Sequence, residues 1–151
     1  MAGWLQIERR IPVTQKEQIS SWTFYHPHYR RSTSYSHDSL YLAADRLTLP
    51  GLQIDMPGAG VFPHYHPALC LTNQAPYLSR SMWRLPAWMH PGHETIPLSY
   101  HTDLSRWTSR EDHALLRSAG RGQEFVLDCD EYPEAQKWLA GVIGLREHDI
   151  W

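Results

Sequence analysis

Ten histidines in a chain of 151 residues are the first feature of this sequence that could carry chemistry. Two pairs, His26-Pro27-His28 and His64-Tyr65-His66, have one residue between the two imidazoles. In an extended segment alternate side chains point to the same side, so each pair could offer two imidazoles to one ligand or metal. A metal would need three or four converging ligands, and neither these spacings nor the two separated cysteines supply a closed set. We therefore predict no tightly bound metal, and the sequence indicates no particular cofactor.

Without a metal, His26, His28 and His101 are candidate catalytic acids and bases. The ordinary imidazole pKa of about 6.5 suits proton transfer near neutral pH. The alternative for each is a surface histidine or a hydrogen-bonded structural one. His26 and His28 are the preferred pair, because they lie in a polar, aromatic and histidine-rich loop.

The sharpest charged motif is Arg121-Gly122-Gln123-Glu124-Phe125. Its glycine would let the backbone approach a ligand closely, and a strand after it would place Gln123 and Phe125 on one face and Glu124 on the other. In this interpretation Glu124 is a catalytic acid, base or oxocarbenium stabiliser, Arg121 binds phosphate and Gln123 contributes to substrate binding. The alternative is a structural ion pair between Arg121 and Glu124.

Aromatic residues alternate with arginines in the middle of the chain, as in Trp83-Arg84 and Arg106-Trp107. Aromatic rings beside arginines suit a base-stacking surface or a pocket for a flipped base. The substrate-binding candidates from this pattern and from a local arginine pair are Trp83, Arg84, Tyr100 and Arg30. Most of the aromatics should nevertheless be core residues, and the net charge of −2 argues against broad coating of duplex DNA.

The elements that must position these residues are short. Alternating or apolar runs predict strands over residues 4–13, 40–44, 61–62, 68–72, 81–85 and 123–127. Helices are predicted over residues 14–22, 110–118 and 133–143, the first with a capping box and the last with an early proline and a glycine after its end. The expected fold class is α+β, a small β-rich core of short strands with long Pro/Gly-punctuated loops and a C-terminal helix.

Length and composition predict a single domain over residues 1–151, because a hydrophobic fraction of 42% is enough for one core. No run approaches the roughly 18–20 apolar residues of a membrane span, and the N-terminus has the wrong order of charges for a signal peptide. Two cysteines suit a reducing compartment. The expected location is cytoplasmic, with no membrane partner.

Three segments are the most distinctive: residues 81–88 (SMWRLPAW), 98–101 (LSYH) and 121–128 (RGQEFVLD). Together with shorter segments at 4–7, 11–13, 25–28, 40–43, 58–62 and 69–72, they resemble the third of the nucleotide modification associated domain families of bacteria and phages. That family is named for its members' occurrence near DNA-base modification enzymes. The resemblance therefore implies an association with DNA-base modification more than a particular reaction. It covers the C-terminal portion of the family. Family members carry a further N-terminal portion before the segment matched by residues 3–13. We expect that portion to be missing from this chain, so that any site shared with it would be incomplete here.

The resulting hypothesis is a nucleic-acid or nucleotide base modification-associated protein that acts on or recognises a base in a His/Arg/Glu-lined pocket. His26, His28 and His101 would line one cleft with Arg121 or Glu124. The expected partners are nucleic acid or a nucleotide and DNA-modification enzymes, and whether the protein is an enzyme stays open.

Two alternatives are non-catalytic: a reader of modified bases, or a structural partner in a modification or defence assembly. Another is an enzyme similar to ADP-ribosyltransferases, suggested by Ser32-Thr33-Ser34 and Gln123-Glu124. There the Ser-Thr-Ser element precedes the strand at residues 40–43, which is the wrong order for that family.

Overall fold

The structure, a computed structural model, describes residues 1–26, 38–49, 55–72, 81–92, 94–118 and 125–144, except for the side chain of Lys16. By backbone contacts the chain divides into two compact units. The N-terminal unit comprises residues 2–61, and the C-terminal unit comprises Met1 and residues 62–151. A single domain over residues 1–151 stays a prediction.

The N-terminal unit contains two small antiparallel sheets. Strand β1 (Gly3–Leu5) pairs with β4 (Ala59–Val61), and β2 (Ile7–Pro12) pairs with β3 (Ser39–Ala43). These strands confirm the predictions over residues 4–13 and 40–44 and part of that over 61–62.

Gln6 divides the first predicted strand in two. Its backbone N–H donates to Gly58 O at 2.7 Å, while its carbonyl accepts from Ala44 N at 2.9 Å. Its side-chain amide bonds to Thr48, accepting from the backbone N–H at 2.7 Å and donating to Oγ1 at 3.0 Å. Gln6 thus bonds to two neighbouring segments, and the chain changes partner strand there.

The predicted helix over residues 14–22 is wrong. The segment forms two short 3₁₀ turns instead, Lys16–Gln18 and Ser21–Tyr25. The backbone bonds of the segment join residues three apart rather than four: Gln18 N–H donates to Gln15 O at 3.0 Å, and Thr23 N–H, just past the predicted end, donates to Ser20 O at 3.0 Å. The Thr23 hydroxyl donates to the same Ser20 carbonyl at 2.8 Å. Short hydroxyl side chains compete with helical hydrogen bonding in this way, and the capping-box pattern does not outweigh them.

The C-terminal unit is built on a three-stranded antiparallel sheet and a helix. Strands β5 (Met82–Pro86), β6 (Trp107–Ser109) and β7 (His113–Arg117) are ordered β5-β7-β6. Helix α1 (Ala135–Gly144) confirms the predicted C-terminal helix, and β5 confirms the strand over residues 81–85. The described residues therefore confirm an α+β fold with a β-rich core of short strands. None of their helices is long and apolar enough to cross a membrane.

The predicted helix over residues 110–118 is also wrong, because most of this segment is strand β7. On a helix, Ala114, Leu115 and Leu116 would all face inward. In the structure Ala114 and Leu116 are fully buried while Leu115 is half-buried on the other face. Their partners on β5 are Leu85 and Trp83, whose side chains face the same core.

Two further predicted strands are not confirmed by the described residues. The predicted strand over residues 68–72 overlaps the 3₁₀ turn Pro67–Leu69, which starts with proline and is capped by His66 Nδ1 accepting from Ala68 N at 3.1 Å. Of this segment, Thr72 pairs with β5, in an isolated antiparallel bridge to Trp83. Within residues 123–127, the described part from Phe125 onward is not a strand. The N–H of Val126 bonds to a side chain, Ser99 Oγ, rather than to a neighbouring strand.

Candidate functional site

Trp83 is the point where the three distinctive segments meet. It lies on the core face of β5 and is only 4% exposed. Its ring packs edge-on against His101, with 5.1 Å between ring centroids, and tilted against Phe125 at 6.0 Å. One residue from each of segments 81–88, 98–101 and 121–128 therefore takes part in a single aromatic cluster.

A hydrogen bond joins the second and third segments directly. Ser99 Oγ accepts from the backbone N–H of Val126 at 2.8 Å. Because this bond replaces a strand-to-strand ladder, one side chain sets how the segment from Phe125 onward lies against the turn at residues 98–101.

The turn at residues 98–101 has an unusual backbone. Tyr100 adopts a φ of 64°, in the left-handed region that non-glycine residues seldom occupy. The turn is closed by His101 N donating to Leu98 O at 2.9 Å. As a result Tyr100 faces solvent and is 58% exposed, while the next side chain, His101, is fully buried. Strained backbone of this kind is concentrated at functional sites.

The buried end of this turn is fixed by a second tryptophan. Trp107 Nε1 donates to the backbone carbonyl of His101 at 2.9 Å. Trp107 also packs edge-on against His90, whose Nδ1 accepts from Gly92 N at 3.0 Å. An accepting Nδ1 carries no proton, so neutral His90 is the Nε2–H tautomer. Trp83 and Trp107 are core residues, whereas Trp88 is half-buried and Tyr100 is exposed.

A charged group that the sequence analysis missed lies on the outer face of the same sheet. Asp112 Oδ2 accepts from Arg84 at 2.8 Å, and Asp112 Oδ1 lies 2.5 Å from His113 Nδ1. The hydrogen bond from His113, helped by the charge of Arg84, holds the pKa of the Asp112 carboxyl below its ordinary 3.8. An imidazole that donates Nδ1–H to a carboxylate presents Nε2 as a proton acceptor. The adjacent Asp112-His113 pair was the available signal, but the predicted helix over residues 110–118 hid it.

Two other groups with shifted pKa values, Cys129 and Tyr132, belong to the core that contains Trp83. Burial raises the pKa of the Cys129 thiol, with the neighbouring Asp128 and Asp130 charges adding to the effect. Burial also raises the pKa of Tyr132, whose hydroxyl donates to Ile96 O at 2.8 Å. Both groups therefore stay protonated at neutral pH, and both pack in the core of the C-terminal unit.

The structure brings some of the predicted site residues together. Trp83 and His101 are in contact, and Tyr100 is next to His101 on the exposed side of the same turn. Arg84 points to the opposite face of β5 and pairs with Asp112. His26 is exposed in the N-terminal unit, where its N–H closes the Ser21–Tyr25 turn on Thr23 O at 3.0 Å.

The remaining site predictions lie outside the described residues: His28, Arg30, Arg121, Gln123 and Glu124. The cleft expected to join His26, His28 and His101 with Arg121 or Glu124 accordingly stays a prediction. Within the described ranges, no three His, Cys, Asp or Glu side chains converge as a metal site would require. The prediction that the protein holds no tight metal stays a prediction as well.

Comparison with known proteins gives one match. The family model described as nucleotide modification associated domain 3 matches residues 1–128 of the 151. No curated protein and no solved structure matches the chain. The matched range holds every predicted site residue and the whole Trp83 cluster. The chain belongs to the nucleotide modification associated domain 3 family.

Proposed function

We propose that this protein acts on or recognises a nucleic-acid base during base modification, in a pocket built around the Trp83 cluster. The observation that supports this most strongly is the contact of Trp83 with both His101 and Phe125. These contacts unite the three segments that carry the resemblance most clearly, within a chain of which residues 1–128 match the family. His101 is the polar residue that these contacts bring against the Trp83 ring.

The roles in this proposal follow from chemistry. Glu124, which is covalently joined to Phe125, is the acid or base, and Arg121 binds a phosphate of the substrate. His101 exchanges a proton or donates a hydrogen bond beside Glu124, and the exposed Tyr100 stacks on the base. Since His101 is fully buried, it reaches a ligand only when the turn at residues 98–101 opens.

A non-catalytic reader of modified bases is the second candidate, favoured by the aromatic character of the cluster. A reader needs a concave aromatic pocket and a phosphate-binding arginine, but no proton donor or acceptor. The partner in either case is nucleic acid or a nucleotide, with DNA-modification enzymes acting beside it in the cytoplasm of a bacterial or phage-infected cell.

Glu124→Gln separates the two candidates. The change keeps the shape of the side chain and removes its charge and its titratable proton. For an enzyme we expect the unfolding temperature to stay close to that of the wild type and the modification to fall by about 100-fold or more. The measurement is the fraction of modified nucleoside, by mass spectrometry of DNA from cells that carry the variant together with the neighbouring modification genes.

Glu8→Gln is the matched control, because Glu8 is an exposed glutamate on strand β2. It should leave both stability and modification unchanged. Normal modification with Glu124→Gln would contradict a catalytic role for Glu124 and favour the reader. Variants of Arg121 and Trp83 would then be expected to weaken DNA binding, and normal binding in both would end the proposal.

A further inference from the structure

A concave surface lies in the C-terminal unit, between α1 and the segments that carry Ala68 and Trp88. This α1 groove has a volume of about 540 Å³, within the roughly 300–1,000 Å³ of small-ligand pockets. Its walls and floor are formed by Ala68, Trp88, Trp138, Gly141 and Val142. Helix α1 lies beyond residues 1–128, so the family match covers only one side of the groove.

Two tryptophans give the α1 groove walls suited to a flat ring. Trp88 and Trp138 pack at 6.0 Å with 71° between their planes, and both are only half-buried. A planar ligand that stacks on one ring therefore meets the edge of the other, the favourable geometry for aromatic groups. Trp88 is held in turn by the buried Tyr132, at 6.0 Å. A wall that is already fixed loses little entropy when a ligand binds.

Gly141 leaves the floor of the α1 groove open at the helix backbone. A glycine inside a helix costs roughly 0.5–1 kcal/mol relative to alanine, so it calls for a reason. Gly60 has one, because a Cβ there would lie 2.4 Å from the ring of Trp4. Within the part of the chain that the structure describes, a Cβ on Gly141 would meet nothing within 4 Å. Internal packing therefore does not explain Gly141, whereas a ligand that lies against the helix would.

Two charged side chains complete the α1 groove. Glu134 and Lys137 line it and are exposed. Spacings of three, four and seven residues place Glu134, Lys137, Trp138 and Gly141 on one side of α1. A lysine ammonium binds phosphate as a point charge, and a carboxylate accepts hydrogen bonds from the amino and imino groups of a base or from a sugar hydroxyl.

We infer that the α1 groove is a nucleotide-binding site, in which the base stacks on Trp88 or Trp138 and Lys137 binds the phosphate. A flat aromatic ring joined to an anion matches the two perpendicular indoles and the ammonium better than an aliphatic chain does. This site is separate from the Trp83 pocket. Its failure would leave the proposal about that pocket standing, and the converse also holds.

The test is calorimetric titration of the full chain with each of the four deoxynucleoside 5′-monophosphates. We expect saturable binding of at least one at a single site, with shifts of the Trp88 and Trp138 indole N–H signals in NMR spectra. Lys137→Gln should weaken nucleotide binding about tenfold and leave binding of the corresponding nucleoside unchanged. Saturable binding of none of the four, or equal affinity for nucleotide and nucleoside, would overturn the assignment.

Gly141→Leu is the decisive variant, because it fills the α1 groove without disturbing the fold. Leucine is a better helix former than glycine and its Cβ has open space, so the unfolding temperature should hold or rise. Nucleotide binding should fall more than tenfold. Gly144→Leu is the matched control: it lies in the same helix, its Cβ also meets nothing among the described residues, and it does not line the α1 groove.

Two further results would contradict the inference. Equal nucleotide affinity in Gly141→Leu and the wild type would place the binding elsewhere on the chain. A concentration-dependent dimer that Gly141→Leu abolishes, seen by analytical ultracentrifugation, would show that a second copy of the chain occupies the α1 groove.

Discussion

The β5-β7-β6 sheet and the β2–β3 sheet are both short and antiparallel, yet only the first has a fully buried face. Trp83, Leu85, Ala114 and Leu116 of the first are each at most 4% exposed. In the second, Ile11 is buried, while β3 is half-buried throughout. The candidate residues His101 and His26 are therefore held in place in different ways. His101 is held by core packing against Trp83, whereas His26 follows a segment with Trp22 and Tyr25 66% and 67% exposed.

This difference bears on where chemistry can occur. Catalytic geometry must be held by packing and by hydrogen bonds around the reacting groups, and the C-terminal unit has both around Trp83. In the exposed aromatic segment of the N-terminal unit, the backbone N–H groups of Thr23 and His26 close turns on Ser20 O and Thr23 O. We accordingly expect the Trp83 cluster to carry the reaction or the recognition step.

The largest loss in the free energy of unfolding should come from a change on the buried face of the β5-β7-β6 sheet. Leu116→Ala removes a fully buried side chain opposite Trp83 and should lower the free energy of unfolding by about 3 kcal/mol. Leu42→Ala, on the half-buried β3, should cost about 1 kcal/mol. Urea unfolding followed by tryptophan fluorescence and circular dichroism measures both. A loss for Leu42→Ala equal to or larger than that for Leu116→Ala would contradict the contrast between the sheets.

A smaller loss in the free energy of unfolding should come from removing the hydrogen bond between Ser99, in the turn at residues 98–101, and Val126. Ser99→Ala removes the acceptor for Val126 N–H and should cost about 1 kcal/mol by the same urea assay. Amide exchange at Val126 should become faster, since its N–H loses its partner. Ser109→Ala, at an exposed position on β6, is the control and should change neither quantity. An unchanged exchange rate at Val126 would show that this bond does not hold the segments together.

The sequence predicts the elements whose pattern is local. Strand β5 follows from alternation that stops at Pro86, and α1 follows from Pro133 and Gly144 at its ends. Strand β7 could not be predicted in this way, because Ala114-Leu115-Leu116 fits a helix as well as a strand. Only the pairing with β5, which begins about thirty positions earlier, decides that Leu115 faces away from the core.

The candidate site was predictable in its residue types but not in its contacts. The resemblance drew attention to Trp83, Tyr100 and His101, and the structure brings Trp83 and His101 together. The orientation of His101 depends on the left-handed backbone of Tyr100, which no residue type signals in advance. The Asp112 and His113 pair was missed because its segment was assigned to the wrong element.

The most direct test of a single site around Trp83 is a double-variant comparison. The fraction of modified nucleoside is measured in DNA from cells carrying Glu124→Gln, His101→Gln or both changes, at matched levels of folded protein. Groups that act together are strongly non-additive, so each single change should reduce modification by about 100-fold and the double change by hardly more. A double variant that shows the product of the two single effects, or normal modification with His101→Gln, would contradict one shared site.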